Sequence, residues 1–328
     1  MVNIGLIGFG YWGPNVAKNI FNNPELNLKY ICDYDESRLQ KAKSIYIEQT
    51  NYESDYKKLI EDDTLDATAI VVETSGHYKI AKEALLAGKH IFVEKPFTST
   101  VEEALELEEI AKEKNLIIHV DHIMIFHPII RKVKSLIDSG ELGEILYIDC
   151  NRLNLGKIKK DVSAMWDLAI HDLSIIDYLS SGATPKYLNA IGEKLYNPKE
   201  SLVFLQLRYE NFIAHIQSSW FSPLKERRLV VAGTKKMVVF DDMKTVEKLM
   251  IYDKGVNIIS GNGIEYDDYA IQIREGDLYV PFIPEEDALY NSINHFLESL
   301  NRGEESISNA NQAIRLLKTL HSADEVMK

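Results

Sequence analysis

Three glycines near the amino terminus constrain the fold of this chain more than any other feature. Gly8, Gly10 and Gly13 follow the apolar run Val2 to Ile7, and Pro14 comes directly after them. This G-x-G-x-x-G spacing lets the backbone turn tightly from a buried strand into a helix and approach a phosphate group closely. The N–H groups at the start of that helix can then bind the phosphate. The pattern therefore predicts a strand–turn–helix unit that binds a dinucleotide.

An acidic residue at the end of the next predicted strand indicates which dinucleotide is bound. Asp33 lies 20 residues after Gly13, where a carboxylate accepts a hydrogen bond from the 2′-hydroxyl of an NAD ribose. A carboxylate also repels the 2′-phosphate of NADP, and the neighbouring Tyr34 supplies no cation to offset that repulsion. We therefore expect NAD as the cofactor, with NADP used less well. A glycine-rich turn without a ligand is the alternative interpretation.

Composition narrows the class of protein. A length of 328 residues suggests about two domains, and 50 acidic against 37 basic side chains give a net charge of −13. This charge argues against a nucleic-acid partner, because binding to phosphate backbones needs a basic surface. Cys32 and Cys150 lie in apolar runs and are interpreted as free thiols in a reducing compartment. We see no leader peptide and no apolar run of membrane-spanning length, and we expect a cytoplasmic protein without a membrane partner.

From residue 1 to about 121, short apolar runs alternate with helical patterns. This alternation predicts α/β architecture, with a doubly wound parallel sheet in an N-terminal Rossmann domain over residues 1–121. Strands are predicted at 2–7, 28–33, 67–72, 89–93 and 116–121, and helices at 15–21, 37–44, 78–87 and 101–114. Thr100 and Glu103 form a predicted capping box at the start of the last of these helices.

The pattern changes after a helix predicted at 129–138. Strand-like segments joined by short polar turns follow at 144–151, 186–196, 201–210, 212–220, 227–233, 236–241 and 246–252. Further helices are predicted at 165–181, 286–301 and 309–326. Residues 122–328 are therefore expected to form a C-terminal α+β domain with a large, mostly antiparallel sheet, which binds the substrate and carries the contacts between subunits.

Some strands of this second sheet look apolar on both faces. The segment Leu202 to Leu207 is the example. An open antiparallel sheet packs one face on its own helices, so a second apolar face needs another cover. We expect a second copy of the chain to provide it, which makes a homodimer or a homotetramer.

A lysine follows the strand predicted at 89–93. Glu94, Lys95 and Pro96 come at its carboxyl end, the edge of a parallel sheet at which ligands bind. Lys95 there can donate a hydrogen bond to a substrate hydroxyl and stabilise the alkoxide that develops. The alternative is a solvent-facing lysine paired with Glu94.

A polar stripe marks the helix predicted at 165–181. Asp167, His171, Ser174 and Tyr178 are spaced to share one face of an otherwise apolar helix. Such a stripe must find hydrogen-bonding partners or line a cleft. His171 suits proton abstraction near neutral pH, and Asp167 can orient it. A structural histidine–aspartate pair in the core is the alternative.

Other polar residues are weaker candidates for the substrate site. Arg152, Asn154 and Lys157 could bind a phosphorylated or hydroxylated substrate, although an ordinary basic loop explains them equally well. His127 precedes Pro128 near the predicted domain boundary and could approach the same ligand. No metal site is expected, because the spacing of His119, Asp121 and His122 gives no convincing ligand set.

These segments together resemble the Gfo/Idh/MocA oxidoreductase family over essentially the whole chain. The matching segments are Gly8–Gly13, Asp33, His77–Ala81, Ala87–Pro96, Ser139–Gly143 and Asp167–His171. The resemblance implies NAD(P)-dependent redox chemistry at a carbinol carbon of a sugar or cyclitol. It places Lys95, Asp167 and His171 in the catalytic positions. The cofactor contacts implied are Gly8, Gly10, Tyr11, Trp12, Gly13, Asp33, Thr74, His77, Glu94 and Lys95.

Three segments point to one branch of that family. Tyr11–Asn15, Asn151–Lys157 and Trp166–Asp172 look like the branch that oxidises the C3 hydroxyl of UDP-N-acetylglucosamine or a relative. This likeness implies a UDP-N-acetylated hexosamine as substrate and a 3-keto nucleotide sugar as product. An inositol or polyol dehydrogenase and a keto-sugar reductase remain open as alternatives. A more distant alternative is an NAD-sensing regulator without catalytic activity.

Overall fold

The structure, a computed structural model, describes residues 1–46, 50–156, 158–159, 162–196, 198–260 and 269–328. The chain divides into two compact units. The first consists of Met1–His127 and Glu286–Lys318, and the second of Pro128–Glu285 and Thr319–Lys328. The sequence predicts one boundary after residue 121, whereas the chain passes from one unit to the other three times.

The first unit is built on a six-stranded sheet in the order β3-β2-β1-β4-β5-β6. Its strands are β1 (Val2–Ile7), β2 (Leu26–Cys32), β3 (Asn51–Glu53), β4 (Ala67–Ile70), β5 (His90–Glu94) and β6 (Ile118–Asp121). The helices between them are α1 (Gly13–Phe21), α2 (Glu36–Ile45), α3 (Lys57–Ile60), α4 (Thr74–Leu86) and α5 (Val101–Lys114). All neighbouring strands are parallel, which confirms the doubly wound α/β fold.

The strand order reverses at β1, which pairs with β2 on one side and with β4 on the other. In open parallel sheets, ligands bind outside the carboxyl ends of the strands at such a reversal. Gly8 follows β1 directly, and Asp33 follows β2 directly. The fold therefore brings the glycine-rich loop and the predicted ribose-binding acid to the same edge of the sheet.

Local sequence accounts for most elements of this unit. β4 is buried along its whole length, as expected of a parallel strand covered on both faces. α5 begins with the predicted capping box, in which the Thr100 hydroxyl and the Glu103 carboxylate each accept the other residue's N–H at 3.2 Å. β3 and α3 are absent from the sequence prediction, because three and four residues are too few to show a period.

A late helix completes the first unit. In α8 (Ala288–Arg302), Ile293 and Phe296 belong to the same buried apolar cluster as Phe9 and Phe92. The sequence prediction places every residue after 121 in the second domain. The structure groups α8 with the first unit instead, because its apolar face completes the core of that unit.

The second unit contains an eight-stranded sheet in the order β14-β13-β12-β11-β7-β10-β9-β8. Its strands are β7 (Ile145–Leu155), β8 (Tyr187–Glu193), β9 (Leu202–Arg208), β10 (Ile213–Ser219), β11 (Phe221–Gly233), β12 (Met237–Asp241), β13 (Leu249–Ser260) and β14 (Tyr269–Tyr279). β7 and β10 are parallel, and the other neighbours are antiparallel. This confirms the large, mostly antiparallel sheet. β14 is not predicted, because Arg274–Asp277 interrupts its apolar alternation.

Helices account for much of the remaining chain. α6 (Pro128–Asp138) and α7 (Ile170–Leu179) lie in the second unit, and α9 (Ala310–Val326) begins in the first unit and ends in the second. Met165–Ala169, directly before α7, form a π-helical turn where the sequence predicts regular helix. Within the residues that the structure describes, no helix has the length and apolar character needed to cross a membrane.

A buried ion pair joins β7 to α7. Arg152 on β7 donates from Nε and Nη2 to the two carboxylate oxygens of Asp172, at 3.0 and 2.7 Å. Both side chains are buried, so each charge depends on the other for compensation. The bidentate geometry therefore fixes the start of α7 against the sheet.

Replacing Asp172 with Asn should lower the free energy of unfolding by about 3–5 kcal/mol, because the Arg152 guanidinium then remains buried without its counter-charge. Urea denaturation of the full chain, followed by circular dichroism, measures this loss. Asp149→Asn on the same strand is the control. Asp149 contacts the partly exposed His215 and accepts from the side-chain amide of Asn151, so it has no buried counter-charge and this loss should stay within about 1 kcal/mol. Equal stability of the two variants would contradict the stabilising role of the buried pair.

Candidate active site

The loop between β1 and α1 requires glycine at two positions for different reasons. Gly8 has a φ of +101°, and a Cβ there would overlap the carbonyl oxygen of Val71. A Cβ on Gly13 would overlap the carbonyl oxygen of Gly8. The first contact holds the loop against the end of β4, and the second holds α1 against the end of β1. The N–H groups of α1 are thereby placed at the edge of the sheet where a phosphate binds.

Asp33 is fixed against this loop. Its carboxylate accepts the N–H of Phe9 at 2.7 Å and the N–H of Asp35 at 2.9 Å. The side chain is only 4% exposed. A carboxylate oxygen has two lone pairs, and Oδ1 accepts only the N–H of Asp35 among these bonds, so it can also accept a hydrogen bond from a ribose hydroxyl. Its role toward an adenosine ribose stays a prediction.

Arg38 is a residue of this site that the sequence reasoning missed. Its Nη1 lies 3.4 Å from Asp33 Oδ2, and its guanidinium lies 5.8 Å from the centre of the Tyr34 ring. A Cβ built on Gly10 would approach Nη1 at 3.6 Å. Tyr34 itself supplies no cation, as the sequence indicates, but Arg38 places one beside Asp33 that the sequence reasoning did not consider. The signal was available in the sequence, since Arg38 lies in the first turn of a helix that Asp35 caps.

The loop suits a dinucleotide in other respects. Tyr11 is almost fully exposed, and Trp12 is half-buried at the N-cap of α1. The Trp12 Nε1 atom is buried and has no hydrogen-bonding partner among the described residues. Gly8, Gly10 and Gly13 would hold the pyrophosphate of NAD, and Asp33 would hold the adenosine ribose. The residues present therefore fit this cofactor.

The chain after β5 carries the lysine predicted to be catalytic. The N–H of Lys95 donates to Oε2 of Glu94 at 3.1 Å, and the bond between Lys95 and Pro96 is cis. His77 on α4 is buried, with Nδ1 2.9 Å from the carbonyl oxygen of Pro96 and Nε2 3.0 Å from that of Val72. Burial lowers the pKa of His77, so the neutral ring donates to one of these two oxygens. His77 thus supports the segment that carries Lys95, and its contact with the cofactor, like that of the half-buried Thr74, stays a prediction.

The π-helical turn in the second unit carries Asp167. Its Oδ1 lies 2.7 Å from Nζ of Lys159, and His171 follows on the first turn of α7, half-buried. π-helical turns recur at functional sites, because they widen the backbone and redirect side chains. The structure thus places both predicted residues at the junction of two helix types.

The remainder of the predicted polar stripe has structural partners. The Ser174 hydroxyl donates to the carbonyl oxygen of His171 at 2.7 Å, a bond within one helical turn. Lys134 on α6 lies 6.0 Å from the centre of the Tyr178 ring. Ser174 and Tyr178 therefore have structural contacts, and the catalytic roles of Asp167 and His171 stay predictions.

The predicted substrate residues have different surroundings. Arg152 is engaged by Asp172, and Lys157 lies outside the described residues. Asn154 on β7 has a buried Oδ1 without a hydrogen-bonding partner in the part of the chain that the structure describes, as expected of a group that can accept from a ligand. His127 is half-buried at the end of the first unit. Their roles toward a substrate stay predictions.

No group of His, Cys, Asp and Glu within the described ranges is arranged to hold a metal ion. His119, Asp121 and His122 are all buried in the first unit. The ring nitrogens of His119 contact the hydroxyls of Ser306 and Ser292. These residues are therefore part of a polar network in the core.

Comparison with known proteins identifies the family. Residues 2–122 match the model of the Gfo/Idh/MocA oxidoreductase family with its NAD-binding Rossmann fold, and residues 130–239 match the model of its C-terminal domain. The uncharacterized oxidoreductase YrbE of Bacillus subtilis is 30% identical over 259 residues, which cover 74% of this chain and 75% of that protein.

Relatives with named substrates differ from one another. UDP-N-acetylglucosamine 3-dehydrogenase of Acidithiobacillus ferrooxidans is 30% identical over 199 residues, covering 60% of this chain and 61% of that enzyme. The scyllo-inositol 2-dehydrogenase (NAD(+)) of Bacillus subtilis is 27% identical over 325 residues, covering 93% and 88%.

Solved structures share the fold. The Acidithiobacillus enzyme GnnA aligns over 99% of this chain and 97% of its own, with a TM-score of 0.82 and 23% identity. GenD2 from gentamicin A biosynthesis, solved in complex with NAD, aligns over 99% and 93%, with a TM-score of 0.81 and 17% identity. The chain thus belongs to the Gfo/Idh/MocA oxidoreductase family, as an NAD-binding enzyme that acts on a CH–OH group.

Proposed function

We propose that the protein oxidises the C3 hydroxyl of a UDP-N-acetylated hexosamine with NAD and releases a 3-keto nucleotide sugar. The observation that carries this proposal is the presence of Lys95, Asp167 and His171 in a chain that resembles the Acidithiobacillus UDP-N-acetylglucosamine 3-dehydrogenase in sequence and in fold. The buried, unpartnered Oδ1 of Asn154 supports a polar substrate at β7.

Each catalytic residue has a distinct task in this proposal. His171 takes the hydroxyl proton, as a neutral imidazole can near pH 7. Lys95 donates a hydrogen bond to the substrate oxygen and stabilises the negative charge that develops there. Asp167 orients Lys95 or the imidazole. NAD, held by the glycine-rich loop and Asp33, would supply the hydride acceptor, so that the alcohol would lose one hydride and one proton and become a ketone.

Cofactor choice depends on Asp33 and Arg38 together. Asp33 favours the free 2′-hydroxyl of NAD and repels a 2′-phosphate, whereas the Arg38 guanidinium would attract that phosphate. In the structure the two charges lie close to one another. We infer that Asp33 sets the preference for NAD by pairing with Arg38, the cation that would otherwise bind the 2′-phosphate of NADP.

A cyclitol dehydrogenase is the second candidate function. The match to scyllo-inositol 2-dehydrogenase extends over nearly the whole chain, although its identity is lower. A cyclitol carries no diphosphate, so this function does not need the cations predicted around residues 152–157. Substrate binding separates the two candidates.

We also propose that two or four copies assemble through the outer face of the second sheet, in the cytoplasm. Tyr187 and Ile191 on β8, Ile213 on β10 and Tyr147 on β7 are exposed on that face, and Phe204 on β9 lies opposite Ile191. Covering these side chains would remove apolar surface from water. Light scattering should give a dimer or tetramer at micromolar concentration, and a monomer would contradict this assembly.

The substrate proposal is tested by following NADH absorbance with purified enzyme, NAD and a panel of UDP-N-acetylated hexosamines and free cyclitols. NADH formation with a UDP-sugar and none with myo- or scyllo-inositol is expected. Turnover of inositols alone would transfer the assignment to the second candidate. Absence of turnover with every compound would contradict both.

Two substitutions test the catalytic roles proposed for Lys95 and His171. Lys95→Ala and His171→Ala should each lower kcat by about 10²–10⁴-fold, because a positioned acid or base contributes that much. NAD binding, measured by calorimetry, should persist in both variants. Lys112→Ala on α5 and His215→Asn on β10 are the matched controls and should keep normal kcat. Near-normal kcat for either site variant would refute its role.

Asp33→Ser should reduce the ratio of kcat/KM with NAD to kcat/KM with NADP by about tenfold or more, because repulsion falls and Arg38 is released. Adding Arg38→Ala to this variant should remove the gain with NADP. Steady-state kinetics with both cofactors measures the ratio. An unchanged ratio in Asp33→Ser would show that the carboxylate does not select the cofactor.

A further inference from the structure

Two carboxyl groups meet in the core of the first unit, next to Lys95. Glu94 ends β5 and Asp121 ends β6, and the two residues are direct partners across these neighbouring parallel strands. Asp121 is 1% exposed. Glu94 is half-buried, with its Oε1 shielded from water. Two adjacent carboxylates that are largely shielded from solvent repel one another strongly, so this juxtaposition needs a compensating group.

The hydrogen bonds of this pair leave one oxygen of each carboxyl group without a partner. Oε2 of Glu94 accepts the N–H of Lys95 at 3.1 Å, and Oδ1 of Asp121 accepts the Ser292 hydroxyl at 2.7 Å. The other two oxygens, Glu94 Oε1 and Asp121 Oδ2, are buried, and no described residue donates to either. Ionised carboxylates only accept, so a proton is needed for these two oxygens to bond.

A directed chain of hydrogen bonds supports this arrangement from β6. The Ser292 hydroxyl donates its proton to Asp121. Its oxygen therefore accepts the N–H of His119 Nε2, 2.9 Å away. Nδ1 of the same neutral ring then accepts from the Ser306 hydroxyl at 2.8 Å. The Ser306 oxygen in turn accepts the N–H of Ser308 at 3.0 Å. Every donor in this hydrogen-bonded series therefore already has an acceptor, and none of them can donate to Glu94 Oε1 or Asp121 Oδ2.

We propose that Glu94 and Asp121 share one proton between Oε1 and Oδ2, so that the pair presents a single fixed negative charge beside Lys95. Protonated Glu94 donates to ionised Asp121, and both groups then have a partner for each oxygen. The pair acts through Lys95, so both are positioning residues. The effect of the pair on Lys95 rests on the proposed function. The shared proton itself is independent of that function.

The electrostatics agree with this protonation state. Burial, with the neighbouring Asp121 carboxylate, raises the pKa of Glu94 well above its ordinary value, and burial raises the pKa of Asp121 to about 6. The Asp287 carboxylate, just before α8, raises the pKa of Asp121 further. The Lys95 ammonium acts in the opposite direction and lowers the pKa of both acids. Burial keeps His119 neutral by lowering its pKa well below the usual value.

A single charge has a consequence for Lys95. One negative neighbour keeps the ammonium protonated, which is the form that donates to a substrate oxygen. Removal of that charge should lower the pKa of Lys95, since an opposite charge at close range shifts a pKa by about one unit or more. The pair would thereby set the upper pH limit of activity.

Infrared difference spectroscopy of the full protein tests the shared proton without substrate. At neutral pH the wild type should show the carbonyl stretch of a protonated carboxylic acid. Glu94→Gln should abolish this band, because the amide donates to Asp121 in place of the acid. Glu106→Gln on α5, where Glu106 accepts from Lys82, is the matched control and should keep the band. Absence of the band from the wild type would overturn the inference.

The pH dependence of stability gives a second measure that needs no activity. A buried acid with a raised pKa is protonated in the folded state and ionised in the unfolded state, so stability falls as pH rises above about 4.3. Relative to Glu94→Gln, the unfolding constant of the wild type should rise about tenfold per pH unit between about pH 5 and 7. Parallel pH profiles of the two proteins would contradict the shared proton.

The role toward Lys95 is tested by three variants that keep the shape of the pair. Glu94→Gln and Asp121→Asn each keep one negative charge, whereas the double variant has none. The alkaline limb of the kcat/KM profile should move down by about one pH unit or more in the double variant alone. Identical limbs in all three would reduce the pair to a structural contact. If no substrate in the panel turns over, the proposed function fails while the spectroscopic result still stands.

Discussion

The close approach of backbone to backbone at the end of β1 is the constraint on which the nucleotide site depends. Gly8 touches the end of β4 and Gly13 touches Gly8, so no side chain can enter between the strand, the turn and α1. The Asp33 carboxylate then ties the loop to the end of β2 by accepting the N–H of Phe9. The positions proposed for the phosphate, the ribose and Lys95 all lie at the edge of the sheet that this packing defines.

Features that are local in sequence were predictable, and features that depend on strand register were not. The glycine spacing, the acid at Asp33 and the capping box at Thr100 each lie within a few residues and follow from backbone sterics and hydrogen bonding. The pairing of Glu94 with Asp121 joins residues on different strands, so it appears only once β5 and β6 are in register. Arg38 falls between these cases, since its helix was predicted but the direction of its side chain was not.

The second unit follows the same division. The spacing of Asp167 and His171 marks them as candidates in the sequence, but the π-helical turn and the ion pair with Lys159 appear only in the fold. Arg152 looks like a ligand-binding cation in the sequence, whereas the fold provides Asp172 as its partner from a segment 20 residues away. A buried cation finds its counter-charge by topology, which a one-dimensional pattern does not contain.

The interleaved course of the chain sets how the molecule can be divided. Residues 128–285 form an insertion within the first unit, whose core is completed by α8 and whose Asp121 is bonded by Ser292 of that helix. An excised amino-terminal fragment would lose both the apolar cover and this hydrogen bond. The nucleotide unit is therefore a discontinuous folding module, and a stable fragment of it would require residues 286–318 joined to residue 127 by a short linker.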